Sequence, residues 1–226
     1  MQFKNEFEKY AVNHLGLTTS AIGYYDKQIQ SSLTPYILEE RELRVTQMDI
    51  FSRMMLDRII HVYGTVNDNM ASIVQAQLMF LDNLEIKDIR LHCSTGGGSV
   101  LSGLGMVDVM NYVNSDIVTM NMGLCASMGS ILLSSGTKGK RFSLKHSRTM
   151  LHTVSSGAQG VIADMQISLK EAEKYNDILF DMLSTNSGKD KETILNDCIR
   201  DFWLSSTEAK AYGLIDDIIL TKPKKK

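Results

Sequence analysis

Strand-like and helix-like segments alternate along the chain from residue 48 to residue 220. Residues 69–85 carry apolar side chains at the 3.6-residue period of an amphipathic helix, and residues 99–113 predict a second helix. Residues 89–93 and 116–122 have the alternation and β-branched side chains of strands. This alternation predicts an α/β fold, in which helices cover the strands of a sheet.

The same pattern continues on both sides of this region. Residues 48–64 predict a short helix followed by a strand, and residues 141–154 predict two further strands. Ser205 and Glu208 have the spacing of a capping box at the start of a helix that Gly213 ends, before a last strand-like run.

The segment 160–186 contains no proline and no internal glycine, and its apolar residues recur at steps of three and four. It predicts an amphipathic helix of about 25 residues, or about 38 Å at 1.5 Å per residue. A helix of this length either projects to meet another subunit or lies along its own core, and the pattern alone leaves both alternatives open.

Composition limits the class of protein. The chain has 226 residues, of which 43% are hydrophobic and 22% charged, as expected for one globular domain with a full core. The net charge of -2 gives no reason to expect nucleic acid as the main partner, and the basic run at residues 222–226 is expected to be a solvated tail.

Cysteine, histidine and hydropathy patterns further restrict the possibilities. The three cysteines form no CxxC pair, which is typical of reduced, cytosolic thiols, and the five histidines form no HxxxH pair, so no metal is predicted. The first 30 residues lack the apolar core of a signal peptide, and no 18-residue uncharged apolar run follows. We therefore expect a cytoplasmic protein without a membrane span.

Ser127 lies between the strand-like residues 116–122 and a helix-like run closed by Gly136. A serine at a helix start is either a packing or capping residue or, beside free backbone N–H groups, a nucleophile. A nucleophilic serine needs a base, for which His152 at the end of a strand-like run is a candidate.

The histidine would in turn need a carboxylate that fixes its tautomer. Asp201 precedes the aromatic pair Phe202 and Trp203, so we expect it in a partly buried place, and Asp197 is an equal rival on chemistry alone. The glycine-rich turn at residues 94–100 follows a strand and supplies backbone N–H groups for an oxyanion, but it lacks the lysine of a phosphate-binding loop.

Several motifs together resemble one family over residues 33–220. They are MDIFSRMMLDRIIHVYG, STGGG, GLCASMGS with SGTKGKR, SRTMLH with GAQG, and IRDFWLSSTEAKAYGLID, all in the family's order and at nearly its spacing. The chain thereby resembles ClpP, the proteolytic subunit of the Clp proteases. The resemblance implies a serine endopeptidase with the ClpP/crotonase fold, a spiral of β-β-α units with a projecting handle helix at about residues 160–186.

The resemblance also implies roles for single residues. Ser127 would be the nucleophile, His152 the general base and then acid, and Asp201, which follows an arginine as in the family, the orienting carboxylate in place of Asp197. The oxyanion donors would be the backbone N–H groups of Gly98 and Met128.

The implied assembly is two stacked heptameric rings that enclose the active sites. An AAA+ ATPase of the ClpX or ClpA/ClpC type would unfold polypeptides and feed them in, so this chain itself would need no cofactor. Residues 33–226 would form the peptidase domain, and residues 1–32 an N-terminal extension with the start of the axial region. We expect roughly the first 30 residues to be removed by self-cleavage.

The sequence departs from the family pattern at a few positions near these sites. Gly96 stands where the family has a proline in the oxyanion loop, and Thr153 and Val154 stand where it has Gln-Pro after the histidine. Ile199 replaces an acidic residue. In the pocket that binds the ATPase in the family, His92 replaces an aromatic residue, whereas Tyr112 is retained. These departures leave open a non-catalytic or partner-dependent subunit of a mixed ring. A second alternative is a crotonase-like acyl-CoA enzyme, which uses a related fold and paired backbone N–H groups but has no need for the triad.

Overall fold

A computed structural model describes residues 36–41, 44–155, 157 and 159–220 of the chain. The chain divides into two compact units, residues 1–53 and residues 54–226. In the first unit, β1 (Tyr36–Arg41) and β2 (Arg44–Asp49) form an antiparallel hairpin that the sequence analysis missed. The expected N-terminal extension, residues 1–32, lies outside the described residues, so its boundary and its cleavage stay predictions.

The second unit contains the predicted alternation of helices and strands. After α1 (Ile50–Leu56), which begins in the first unit, follow β3 (Ile59–Tyr63), α2 (Asp68–Leu84), β4 (Ile89–Thr95), α3 (Val100–Tyr112), β5 (Ile117–Ala126), α4 (Met128–Ser134), β6 (Arg141–Leu144), β7 (Arg148–Leu151), α5 (Ile162–Ser187), α6 (Lys191–Asp197), β8 (Phe202–Ser205), α7 (Ser206–Tyr212) and β9 (Asp217–Ile219). The α/β prediction is confirmed.

The strands of this unit form one mostly parallel sheet. Within the described residues, β3, β4, β5, β6 and β9 lie side by side in parallel. Strand β7 pairs in parallel with β5, and β8 pairs antiparallel with β7, the one antiparallel pair among the described strands of the sheet.

Strand β5 changes partner along its length. Its residues 119–121 pair with residues 141–143 of β6, whereas its residues 124–126 pair with residues 148–150 of β7. The end of β5 is therefore held beside the end of β7, and the segments that follow the two strands begin next to each other.

The core forms because each element buries one regular set of apolar side chains. On β4, alternate residues are buried, as expected for a period of two. On α2, Ala71, Val74, Leu78 and Leu81 are buried at steps of three and four, and the Asn67 side chain caps its start by accepting from the Met70 N–H. All seven residues of α4 are buried, so this helix lies in the middle of the unit.

Arg141 joins several elements inside the core. Its guanidinium, with 4% of the side chain exposed, binds both carboxylate oxygens of Asp216 at 2.9 and 2.6 Å and donates to the backbone oxygens of Ser134 and Asn186. Burial by itself raises the pKa of Asp216, but the hydrogen bonds from Arg141 outweigh it and hold that pKa below its usual value. The pair thus links β6 to the ends of α4 and α5.

The predicted long helix is present as α5, which has 26 residues and ends at Gly188 in the left-handed conformation. Only Phe180 and Leu183 of this helix are buried, and both lie in its second half. Ile162, Ile167 and Leu169 in the first half are each more than half exposed. Within the described chain, the first half of α5 therefore projects beyond its own core.

Candidate active site

Ser127 occupies a sharp turn between β5 and α4. Its φ of 55° and ψ of -125° lie in a region that non-glycine residues rarely adopt. The turn is held by hydrogen bonds from the Ser127 N–H to the Met150 oxygen, at 2.9 Å, and from the Ser130 N–H and hydroxyl to the Ser127 oxygen, at 2.9 and 2.6 Å. Such strain persists only where the surroundings enforce it, and it concentrates at functional sites.

The Ser127 side chain does not cap the helix that it precedes. Although Ser127 is the N-cap residue of α4, its hydroxyl makes no capping hydrogen bond. This excludes the capping role that the sequence analysis left open, because the hydroxyl points elsewhere.

His152 follows β7 and meets the Ser127 hydroxyl. Because Ala126 at the end of β5 pairs with Met150 of β7, the residues after the two strands come together. The distance from His152 Nε2 to Ser127 Oγ is 2.8 Å, a hydrogen bond, and the His152 side chain is 27% exposed. The structure therefore brings the predicted nucleophile and base into contact.

Asp201 lies on the other side of His152, because β8, which begins at the next residue, runs antiparallel to β7. One carboxylate oxygen is 3.6 Å from His152 Nδ1, longer than a hydrogen bond but within the range of an ion pair. The expectation of a partly buried place is wrong, since the Asp201 side chain is 60% exposed. Phe202 and Trp203 lie on β8 after it and leave the carboxylate open to solvent.

The rival carboxylate, Asp197, is occupied elsewhere. It accepts a hydrogen bond from the Tyr212 hydroxyl at 2.9 Å, and burial, followed by this contact, raises the pKa of Tyr212. Of the two candidates, only Asp201 lies within ion-pair range of His152 among the described residues, so it can pair with the imidazole once the ring is protonated.

The glycine-rich turn after β4 borders the same site. The Gly97 oxygen accepts a hydrogen bond from the Val66 N–H at 2.9 Å. In a trans peptide, the C=O of one residue and the N–H of the next point in opposite directions. The Gly98 N–H therefore points away from Val66. Met128 is the first residue of α4, where an N–H has no partner within the helix. Neither of these two N–H groups donates to an acceptor in the described part of the chain.

A cleft of about 160 Å³ adjoins Ser127 and His152 and is lined by both predicted oxyanion residues, Gly98 and Met128. Its walls are mainly apolar and come from α3, α4 and α5, with Val100, Ile131, Leu179, Phe180 and Leu183. The residues Thr153, Val154 and Ser155, which follow His152, form another wall. A mainly apolar, concave site with a few polar groups at one end is typical of a ligand-binding cleft.

Two contributors to the site were missed by the sequence analysis. Gly97 has a φ of 90°, and a Cβ on it would lie 2.7 Å from Ser127 Cβ, so the turn can approach the serine only as glycine. Asn176 of α5 lines the cleft and accepts a hydrogen bond from the Val154 N–H at 3.0 Å. The glycine run was a visible signal for the first, whereas nothing in the local sequence distinguishes Asn176 from other polar residues of the helix.

No thiol competes with Ser127 at this site. Cys125, two residues before it, is fully buried, and burial raises the pKa of its thiol well above the usual value. Within the described residues, no three side chains of the metal-binding types cluster, and no helix is both long and apolar enough to cross a bilayer.

Comparison with known proteins identifies the family. The family model for Clp protease matches residues 40–222 of the chain. The chain belongs to the Clp protease family. A relative from Porphyromonas gingivalis named ATP-dependent Clp protease proteolytic subunit is 44% identical over 95% of this chain and 97% of its own length. Relatives with the same name from Bacteroides fragilis and Bacteroides thetaiotaomicron are each 42% identical over 96% of this chain and their full length.

Membership in the Clp protease family confirms the predicted family, the predicted fold and the predicted class of serine peptidase. The matched region includes Ser127, His152 and Asp201. The roles of these single residues, and of Gly98 and Met128, stay predictions that the geometry above makes specific.

The positions that depart from the Clp pattern have different surroundings. Gly96 has no positive φ, and nothing lies within 4 Å of a Cβ on it. Ile199 is 66% exposed. Tyr112, which follows the Clp pattern, is 77% exposed. His92 is half-buried against His61, with the two ring centres 5.4 Å apart.

Proposed function

We propose that this chain is the serine endopeptidase subunit of an ATP-dependent Clp protease and that it degrades unfolded polypeptides. The observation that carries the proposal is the 2.8 Å contact between His152 Nε2 and a Ser127 hydroxyl that is held in a strained turn and does not cap its helix. A serine activated by a hydrogen-bonded histidine is the arrangement of a covalent acyl-transfer enzyme.

In the proposed mechanism, the Ser127 hydroxyl attacks the carbonyl carbon of the scissile peptide bond while His152 Nε2 takes its proton. The resulting oxyanion accepts hydrogen bonds from the N–H groups of Gly98 and Met128. Loss of one such donor typically costs on the order of 3 kcal/mol in the barrier. Asp201 stabilises the imidazolium through Nδ1. Because the Asp201 carboxylate is exposed to water, this electrostatic interaction is weaker than it would be in a buried site.

His152 then donates its proton to the leaving amine, which departs and leaves an ester between Ser127 and the acyl part of the substrate. Water then attacks the ester carbonyl while His152 Nε2 takes one of its protons. The bond between the acyl carbon and Ser127 Oγ breaks, Ser127 Oγ recovers the proton from His152, and the carboxylic acid product departs. Apart from the peptide and water, each step needs only side chains and backbone N–H groups of the protein, so the proposal includes no cofactor bound to this chain.

The proposed partner is an AAA+ Clp ATPase of the ClpX or ClpA/ClpC type, and the proposed compartment is the cytoplasm. The relatives' name includes ATP dependence, whereas this sequence contains no phosphate-binding GxxxxGK[ST] motif. A separate ATPase would therefore supply the energy for unfolding. We further propose two stacked heptameric rings. The exposed apolar side chains on the first half of α5 support a contact between subunits in such an assembly.

The test is hydrolysis of a short fluorogenic peptide by the purified protein beside Ser127→Ala, with the oligomeric mass measured on the same samples. We expect cleavage by the wild-type ring and a loss of at least about 10³-fold in Ser127→Ala. If the ring forms without cleaving, labelling with a serine-directed phosphonate decides between an active serine gated by a partner and a non-catalytic subunit. Turnover of an acyl-CoA that survives Ser127→Ala would favour the crotonase-like alternative.

A further inference from the structure

The segment after His152 is tied to helix α5 by one side chain. The Val154 N–H donates to Asn176 Oδ1 at 3.0 Å. Since a peptide N–H can only donate, this contact also fixes which end of the Asn176 amide faces the segment.

The contact lies within the wall of the cleft. Val154 and Asn176 both line it, together with Ser127 and His152. Asn176 lies three and four residues before Leu179 and Phe180, so one face of α5 supplies both the apolar wall and the acceptor for Val154.

Val154 and Asn176 are a donor and an acceptor at a position where this chain departs from the Clp pattern. Where the family has proline after the histidine and glutamine, Val154 has an N–H that needs an acceptor. Asn176 supplies that acceptor across the cleft. A polar residue that only solubilised the helix would face water, whereas Asn176 is half-buried against the segment.

We propose that Asn176 is a positioning residue for peptide hydrolysis, which holds residues 153–155 as a fixed wall for the substrate side chain. The inference rests on the proposed peptidase function. A wall that is already in place when the substrate binds loses less conformational freedom on binding. We therefore expect the Asn176 hydrogen bond to affect the hydrolysis of those substrates whose side chain fills the cleft.

Three substitutions test this hydrogen bond. Asn176→Leu keeps the size of the side chain and removes the acceptor, Asn176→Asp keeps an acceptor oxygen, and Val154→Pro removes the donor. Glu173→Gln, an exposed position one turn earlier on α5, is the matched control for a change on this helix.

The measurements are kcat and KM on two fluorogenic peptides, with leucine or alanine before the scissile bond, and the labelling rate with a small serine-directed phosphonate that has no side chain for the cleft. We expect Asn176→Leu to lower kcat/KM on the leucine peptide about three- to tenfold, mainly through KM, and on the alanine peptide less than twofold. Phosphonate labelling and the oligomeric mass should stay as in the wild type, and Asn176→Asp should restore kcat/KM to within about twofold.

The double variant Val154→Pro, Asn176→Leu should cleave no worse than Val154→Pro alone, because the donor is already absent. Equal loss from Asn176→Leu in both backgrounds, wild-type kinetics in Asn176→Leu, or a parallel fall in phosphonate labelling would each overturn the inference.

Hydrogen exchange of the Val154 amide separates this inference from the proposed function. Exchange should be slow in the wild type and Glu173→Gln and faster in Asn176→Leu, whether or not the protein cleaves peptides. Faster exchange in a protein whose cleavage does not depend on Ser127 would contradict the proposed function while supporting the contact. Unchanged exchange in a Ser127-dependent peptidase would contradict only the role of Asn176.

Discussion

The backbone at Ser127 combines two features that seldom occur together in a serine before a helix. Its φ is 55°, and its hydroxyl is bound to His152 Nε2 instead of a helix N–H. Hydrogen bonds to Met150 and from Ser130 hold this conformation on both sides. These hydrogen bonds to the sheet and to the first turn of α4 thus compensate for the strain of the turn, and they keep the Ser127 hydroxyl in one place.

Exchange of the two candidate carboxylates separates their roles. We expect Asp201→Asn to lower kcat on the order of 10²-fold, less than the roughly 10⁴-fold loss typical of a buried orienting aspartate, because Asp201 is exposed and 3.6 Å from His152. Asp197→Asn is the control, since Asp197 binds Tyr212, and it should keep kcat within about threefold. Steady-state peptide hydrolysis measures both, and a larger loss in Asp197→Asn would contradict the assignment.

At the scale of elements, the site depends on how close the glycine turn after β4 comes to the turn after β5. A Cβ on Gly97 would lie 2.7 Å from the Ala126 oxygen and 2.9 Å from the Met128 nitrogen. The two turns that would supply the oxyanion donors are therefore in direct contact. The small side chains of the run from residue 94 to residue 98 allow this approach.

Neighbouring glycines should respond differently to the same change. Gly97→Ala should lower kcat by about 10²-fold or more, because its positive φ and its close neighbours force the two turns apart and displace an oxyanion donor. Gly96→Ala, with open space around its Cβ, should stay within about threefold of the wild type.

Kinetics together with thermal unfolding show whether the Gly97 variant loses its site or its fold. If Gly97→Ala and Gly96→Ala had equal activity, the contact between the two turns would not matter for the reaction.

At the scale of the whole molecule, the first half of α5 carries large apolar side chains that its own core does not cover. Ile162 is 71% exposed, Ile167 is 67% exposed, and Leu169 is 57% exposed. With 26 residues, α5 is about 39 Å long, and the site borders only its second half. The sequence left open whether this helix projects beyond the core or lies along it. The first half of α5 projects, and the second half lies along the core.

Assembly should depend on this exposed face. We expect Ile167→Lys to reduce the oligomeric mass, because a charge placed in a buried contact between subunits costs more than the contact contributes. Lys170→Gln, an exposed polar position of the same helix, should leave the mass unchanged. Light scattering after size exclusion measures both, and an unchanged mass in Ile167→Lys would exclude this face from assembly.

Local patterns were sufficient for most of the elements. The periods of α2 and β4, the capping box at Ser205 and the terminating Gly213 all rest on neighbours within one or two turns, and each is present as predicted. The hairpin of β1 and β2 and the short strand β8 were missed, since the stability of such short strands depends mostly on a partner strand.

The sequence by itself therefore determined the α/β class, the long helix and, through its motifs, the family and the candidate residues, because these depend on local periodicity and residue type. Only the tertiary structure decided that Ser127 meets His152, that Asp201 is exposed, and that Asn176 binds the Val154 N–H. These contacts join residues that are 22 to 49 positions apart in the chain, as in the Val154 to Asn176 bond and the His152 to Asp201 pair. Their geometry is set by strand pairing and helix packing, which no local pattern specifies.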